Sequence, residues 1–157
     1  MLQAPDKIKV VVRNRKARHD YQIVDTYEAG IELQGTEVKS LRDGKVQLAD
    51  SYAVVENGQV WLKNMHISPY QQAGHVDQDP VRTRRLLLHR KEIRKLWGKT
   101  EQQGLTLIPL SVYFKGAHAK VELALAVGRK KYDKREAIAK ADAERRIKQA
   151  TRKDMDR

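Results

Sequence analysis

At 157 residues, with no cysteine and a formal net charge of +12, the chain has room for one domain with a real core and none for disulfides, thiolate metal sites or a cysteine nucleophile. Lys and Arg number 32 against 20 Asp and Glu, which points to a polyanionic partner, nucleic acid ahead of a membrane surface, because neutralising phosphates releases counterions. No run approaches the ~20 apolar residues of a membrane-spanning helix, and MLQAPDKIKV at the N-terminus lacks the apolar centre of a signal peptide, so a cytoplasmic location is expected.

Residues 7 to 12, KIKVVV, alternate Ile8, Val10 and Val12 as a short strand does. NRKARHDY follows, with Arg13, Arg15, Lys16 and Arg18 around Asn14, too charged for a core and expected as a basic loop facing solvent or phosphate. Tyr21 and Ile23 resume the alternation. In YEAGIELQGTEVKSLR, Ile31 and Leu33 keep strand spacing, Gly35 breaks it, and Val38 and Leu41 take helical spacing. Thr36 is the expected cap of that short helix, with Glu37 in its first turn. Asp43-Gly44 closes it. SYAVVENGQVWL reads as a hairpin, because both positions of an Asn57-Gly58 turn suit positive φ.

QQAGHVDQDP is expected to be a polar loop leading into a helix, with Asp79 as N-cap and Pro80 in the first turn. The spacing predicts one basic helix from Val81 to Gln103, with Leu86, Ile93, Leu96 and Trp97 on its buried face and Leu88 on its charged face; a break near His89 would undo that geometry. Gly104 ends it. LTLIPLSVYF and AKVELALAV form two strands around Lys115-Gly116, with Pro109 marking an edge or a bulge. Six or seven short strands, one short and one longer helix, without βαβ alternation, are best accommodated by a small antiparallel barrel, and the oligonucleotide-binding barrel is the commonest that presents a nucleic-acid face.

The last thirty residues, Gly128 to Arg157, hold twelve Lys or Arg against six Asp or Glu, a net of +6, which leaves +6 for the other 127 residues. Their only large apolar side chains are Tyr132, Ile138, Ile147 and Met155, too few to offset the roughly 1 to 2 kcal/mol of backbone entropy per ordered residue. A domain spanning 1–127 and a basic tail spanning 128–157 are therefore expected.

Catalytic signatures are missing: there is no phosphate-cradling glycine loop, no G-x-S-x-G and no H-E-x-x-H. His19, His66, His75, His89 and His118 stand too far apart for a local metal-ligand motif, so neither metal nor cofactor is expected. Glu28 and Glu37 could in principle serve as acid and base, but no ligand cluster is spaced near them. Basic segments at 13–18, 82–95 and 129–135 alternate with Tyr21, Tyr27, Trp97 and Tyr132, the composition of an RNA-binding surface.

NRKARHDY, YEAGIELQGTEVKSLRDGK, DSY at 50–52, RTRRLLLH and GRKKYDKR, in this order, closely resemble the SsrA-binding protein family, also called small protein B, over essentially the whole chain. The resemblance implies a mainly β fold, an antiparallel oligonucleotide-binding-type barrel with two or three added helices and a basic tail. It implies a non-enzymatic, monomeric adaptor that binds the tRNA-like domain of transfer-messenger RNA and delivers it to stalled bacterial ribosomes in trans-translation. The family's RNA contacts fall on Asn14, Glu28 and Leu88, joined here by the basic residues Arg15, Lys16, Arg18, Arg84 and Arg85. A carboxylate such as Glu28 repels phosphate but accepts hydrogen bonds from base amino groups or ribose hydroxyls. The family's tail is disordered when free and helical in the empty message channel; its decoding-centre contacts match Gly128, Arg129, Lys130, Tyr132, Asp133, Lys134 and Arg135, with Ile147 and Met155 weaker distal matches. Residues 136–150, EAIAKADAERRIKQA, are rich in helix formers, yet an isolated helix of about 12 to 15 residues is marginal in water. Two other readings predict different behaviour: a general single-stranded RNA binder would not prefer the tRNA-like domain, and an RNA-processing enzyme would cleave or modify its RNA.

Overall fold

A computed structural model describes residues 7–70 and 78–128. Most of the expected polar loop at 71–80 and all of the tail beyond Gly128 lie outside the described residues. In chain order the elements are β1 (Ile8–Arg13), α1 (Arg15–Asp20), β2 (Tyr21–Ile31), α2 (Gly35–Arg42), β3 (Val46–Gln47), β4 (Tyr52–Glu56), β5 (Gln59–Lys63), β6 (His66–Ile67), β7 (Arg84–Leu87), α3 (Arg90–Gln103), β8 (Thr106–Lys115) and β9 (His118–Gly128).

Alternating apolar residues drive the strands together and local turns set their order. The Asn57-Gly58 turn, with φ of 52° and 72°, joins β4 to β5, and Gly116, with φ of 61°, joins β8 to β9. The main sheet runs β1-β8-β4-β5-β7-β2-β9, and a further pairing of β8 with β9 closes it into an antiparallel barrel, with β1 added on β8. Closure pairs the edge that β9 would expose in an open sheet, while β1 stays a terminal strand on β8. The interior holds Val60, Leu62, Leu86, Leu107, Leu123 and Leu125, all fully buried. Helix α3 adds Ile93 and Leu96 to the same core.

Strand β8 is buried at nearly every position rather than at alternate ones. One side faces the barrel core, while on the other Ile108 and Leu110 pack with Ala124 and with Ala17 of α1. Pro109 produces the expected irregularity, a register shift between Pro109 and Ser111, in a strand that is not at the edge but pairs with β1, β4 and β9.

Four local expectations are corrected. NRKARHDY is not a loop: Asn14 Oδ1 accepts from the Ala17 amide at 3.1 Å and starts α1, which Ala17 anchors. Helix α2 is capped from Gln34, whose amide donates to Glu37 at 2.8 Å, and not from Thr36. The single helix expected over 81–103 is a strand followed by a helix, because Arg84–Leu87 pairs with both β2 and β5 and the chain turns at His89. Leu86 therefore reaches the core from a strand. Trp97, turned 100° from Leu96 on the shorter helix, is 51% exposed instead of lying on the buried stripe.

Candidate nucleic-acid interface

Strand alternation puts every second residue of β1, β8, β9, β2 and β7 on the outside of the barrel wall. Register aligns them: Val10 opposes Tyr113, Ser111 opposes Glu122, and Glu122 opposes Glu28. Residues of β1, β2, β8 and β9, with Arg18 of α1, border a groove of about 470 Å³, with Ile8 and Val10 on one flank and Arg13 and Arg18 on another.

Two carboxylates, Glu28 and Glu122, face each other directly across β2 and β9, a juxtaposition that is destabilising without compensation. Both are compensated. The Tyr113 hydroxyl donates to Glu28 Oε2, and Lys115 Nζ reaches Glu28 Oε1 at 3.4 Å. Ser111 Oγ donates to Glu122 Oε2 at 3.2 Å, and Arg18 lies 3.5 Å from Oε1. The Tyr113 hydrogen bond, working against partial loss of hydration and helped by Lys115 and Lys120, holds the Glu28 carboxyl below the usual carboxylate range. Burial, then the hydrogen bond to Glu28 and the charges of Glu28 and Glu122, push the Tyr113 phenol well above its ordinary value, so it stays a donor. The groove thus offers ionised, oriented acceptors ringed by cations, a combination suited to ribose hydroxyls and base amino groups beside a phosphate chain.

Of the residues expected to meet RNA, Arg18 and Glu28 line this groove. Arg85, on β7, points outward and pairs with Glu32, with its side chain 35% exposed. Lys16 lies on the other side of α1, 4.0 Å from Asp50, in a second groove with Asn14, Tyr21 and Tyr52; Arg15 is exposed on the same helix. Gly128 is the last residue of β9 and pairs with Tyr21. Arg129, Lys130, Tyr132, Asp133, Lys134, Arg135, Ile147 and Met155 lie outside the described residues.

Three expected contacts are placed elsewhere by packing. Asn14 is 8% exposed, and its amide nitrogen donates to Pro109 O at 3.1 Å and Leu48 O at 3.5 Å while its oxygen caps α1. Its polar atoms tie α1 to the barrel. Arg84 is fully buried: Nε meets Glu37 at 2.5 Å, Nη1 meets Met65 O at 2.7 Å and Nη2 meets Pro80 O at 3.2 Å. With no part of it exposed, its guanidinium is closed to a ligand. Leu88 is half-buried against the barrel core, whereas its neighbour Leu87 is 46% exposed. Leu87 opposes Gly30, two positions along from Glu28, and a Cβ at Gly30 would come within 3.2 Å of the Leu87 Cβ. The outward leucine beside Glu28 is therefore Leu87.

Sequence reasoning did not pick out Tyr113, Ser111, Lys115 or Glu122. The period-2 pattern of β8 and β9 marks them as one face, but their meeting with Glu28 depends on strand order, which no local signal carries. Among the described residues no cluster of three or more His, Cys, Asp or Glu could hold a metal ion, and no helix is long and apolar enough to cross a membrane.

A family model described as SmpB protein matches residues 11–153. The SsrA-binding protein of Halothermothrix orenii is 62% identical over 145 residues, covering 92% of this chain and 94% of its own. That of Desulforudis audaxviator is 59% identical over 152 residues, 97% of this chain and 98% of its own. Among solved structures, a chain from one described as "tmRNA-SmpB: a journey to the center of the bacterial ribosome" superposes with a TM-score of 0.64 at 53% identity, covering 80% of this chain and 85% of the other.

Proposed function

The chain belongs to the SmpB protein family, and from that premise we propose that it is an RNA-binding adaptor of trans-translation, acting in the cytoplasm without catalysing a reaction. In this reading the barrel takes the tRNA-like domain of transfer-messenger RNA, and the basic segment from Gly128 onward enters the empty message channel of a stalled ribosome. The observation that carries it is the Glu28 groove, where oriented carboxylates sit among Arg13, Arg18 and Lys115. A general polyanion binder gains nothing from carboxylates there, whereas a reader of RNA hydroxyls and amino groups does.

On the RNA face this assigns direct contact to Glu28, Arg15, Lys16, Arg18, Arg85 and Leu87, with Asn14 and Arg84 holding the elements that carry them. Residues 128–157 act as the ribosome-directed part, with Tyr132 offering a ring for stacking on an rRNA base and Gly128, Arg129, Lys130, Asp133, Lys134 and Arg135 flanking it.

Binding to the isolated tRNA-like domain, compared with an unrelated structured RNA of equal length at physiological salt, tests the first half. Clear preference for the tRNA-like domain is expected, and equal affinity would overturn the adaptor reading. A chain ending at Gly128 tests the second half: it should keep RNA binding and lose peptide tagging on stalled ribosomes. Tagging by the shortened chain would remove the ribosomal role from the C-terminal segment.

A further inference from the structure

Glu28 is attached by a long, rotatable side chain that is 41% exposed. Left alone it would point many ways, and an acceptor that must be ordered on binding discriminates poorly. Its orientation comes from a residue far away in the sequence. Tyr113 sits on β8, 8% exposed as a residue, between Val10 of β1 and Lys120 of β9 in register, and its hydroxyl meets Glu28 Oε2. A phenol held by packing is a rigid donor with only two side-chain torsions, whereas Lys115, at 3.4 Å from Oε1 and 40% exposed, is a mobile one.

We propose that Tyr113 is a positioning residue for RNA recognition: by donating to one oxygen of Glu28 it presents the remaining acceptor sites of the carboxylate to a ribose 2′-hydroxyl or a base amino group in the groove. The proposal rests on the reading that the Glu28 groove meets RNA. A carboxylate has about four acceptor sites, and Tyr113 and Lys115 are the side-chain donors that reach it among the described residues. The other charged groups facing this pair are Lys120 and Glu122 on β9, Arg18 on α1 and Arg13 on β1. Arg18 engages Glu122, as does Ser111, and Lys120 acts on Glu28 through its charge and not through a hydrogen bond.

The test is a double-mutant cycle with Tyr113→Phe and Glu28→Gln, read as affinity for the tRNA-like domain at fixed ionic strength. Tyr113→Phe keeps the ring and removes only the donor. It is expected to weaken binding about tenfold, the order expected for one hydrogen bond to a charged group, and to cost nothing further when Glu28 is already Gln. Titration of the Glu28 carboxyl in the free protein, followed by NMR, should move upward in Tyr113→Phe, and RNA affinity should begin to fall at a higher pH than in the unaltered protein.

Equal losses in both backgrounds would make Tyr113 a contact or a packing residue and overturn the proposal. So would an unmoved Glu28 titration, or a Tyr113→Phe protein that binds normally while Glu28→Gln does not. If Glu28→Gln itself binds like the unaltered protein, it is the interface reading that fails, and the proposal falls with it.

Discussion

Glu28 and Glu37 are both carboxylates held below their ordinary range, and they do opposite jobs. Glu37 is buried at the start of α2, where it accepts from Arg82 at 2.6 Å, Arg84 at 2.5 Å and the Gln34 amide at 2.8 Å. Burial pushes its pKa up, but the Arg82, Gln34 and Arg84 interactions outweigh that. Burial lowers the Arg84 pKa more than Glu37 raises it, yet a guanidinium starts so high that it stays charged. Both oxygens of Glu37 and all three nitrogens of Arg84 have partners within the chain. Glu28 keeps part of its carboxylate open to the groove while Tyr113 and Lys115 hold the rest. Satisfied polar groups lock α2 to β7 in one region, and incompletely satisfied ones make a recognition surface in the other.

The largest effect is expected at Arg84. Arg84→Ala leaves Glu37 buried and half-paired and should cost about 3 to 5 kcal/mol of stability in urea unfolding; a loss under about 1 kcal/mol would mean that the buried pair is not a lock. Stability should also depend on pH through Glu37. Glu37 has a folded pKa below its unfolded value, so its contribution is complete above the unfolded value, about 4.3 for a glutamate, and is lost as pH falls through the folded value. Glu37→Gln should lower stability at neutral pH and flatten its decline on acidification.

At Glu28 the readout reverses. Glu28→Arg should leave stability within about 1 kcal/mol, since the site is exposed, while RNA affinity falls about 10- to 100-fold. The smallest effects separate the two adjacent leucines. Leu88→Ala should cost about 1 to 2 kcal/mol of stability, less than a fully buried leucine, with RNA affinity little changed. Leu87→Ala should cost under about 0.5 kcal/mol and weaken RNA binding severalfold, as measured by the same titration. A reversed pattern would return the contact to Leu88.

Much of the fold is legible locally. Asn57-Gly58, Lys115-Gly116, Gly104 and the Pro109 irregularity all act where turn chemistry says they should, because each depends on a residue's own φ preference or missing amide. The stretch RTRRLLLH was misread because a short apolar run fits a strand or a helix equally well, and pairing with β2 and β5 decides between them. That error also misplaced the outward leucine: as a strand, the run sends Arg84 and Leu86 inward and Arg85 and Leu87 outward. NRKARHDY reads as a solvated loop because five of its eight residues carry charge or imidazole, yet two buried residues, Ala17 and Asn14, seat it on β8. Glu28 came from the family resemblance, and no local pattern would have selected it.

Residue type, spacing and count are enough for most of the antiparallel strands, though not β7, and for their turns, the surplus of positive charge and the poverty of apolar residues after Gly128. Tertiary structure alone decided the fate of each polar side chain. Asn14, Arg84 and Glu37 were drawn inside and spent on the fold, while Glu28 was left outside under the hydroxyl of Tyr113, 85 residues away. The physical reason is that a charge or amide becomes structural or available according to whether distant strands supply its partners, and only barrel closure brings those strands together.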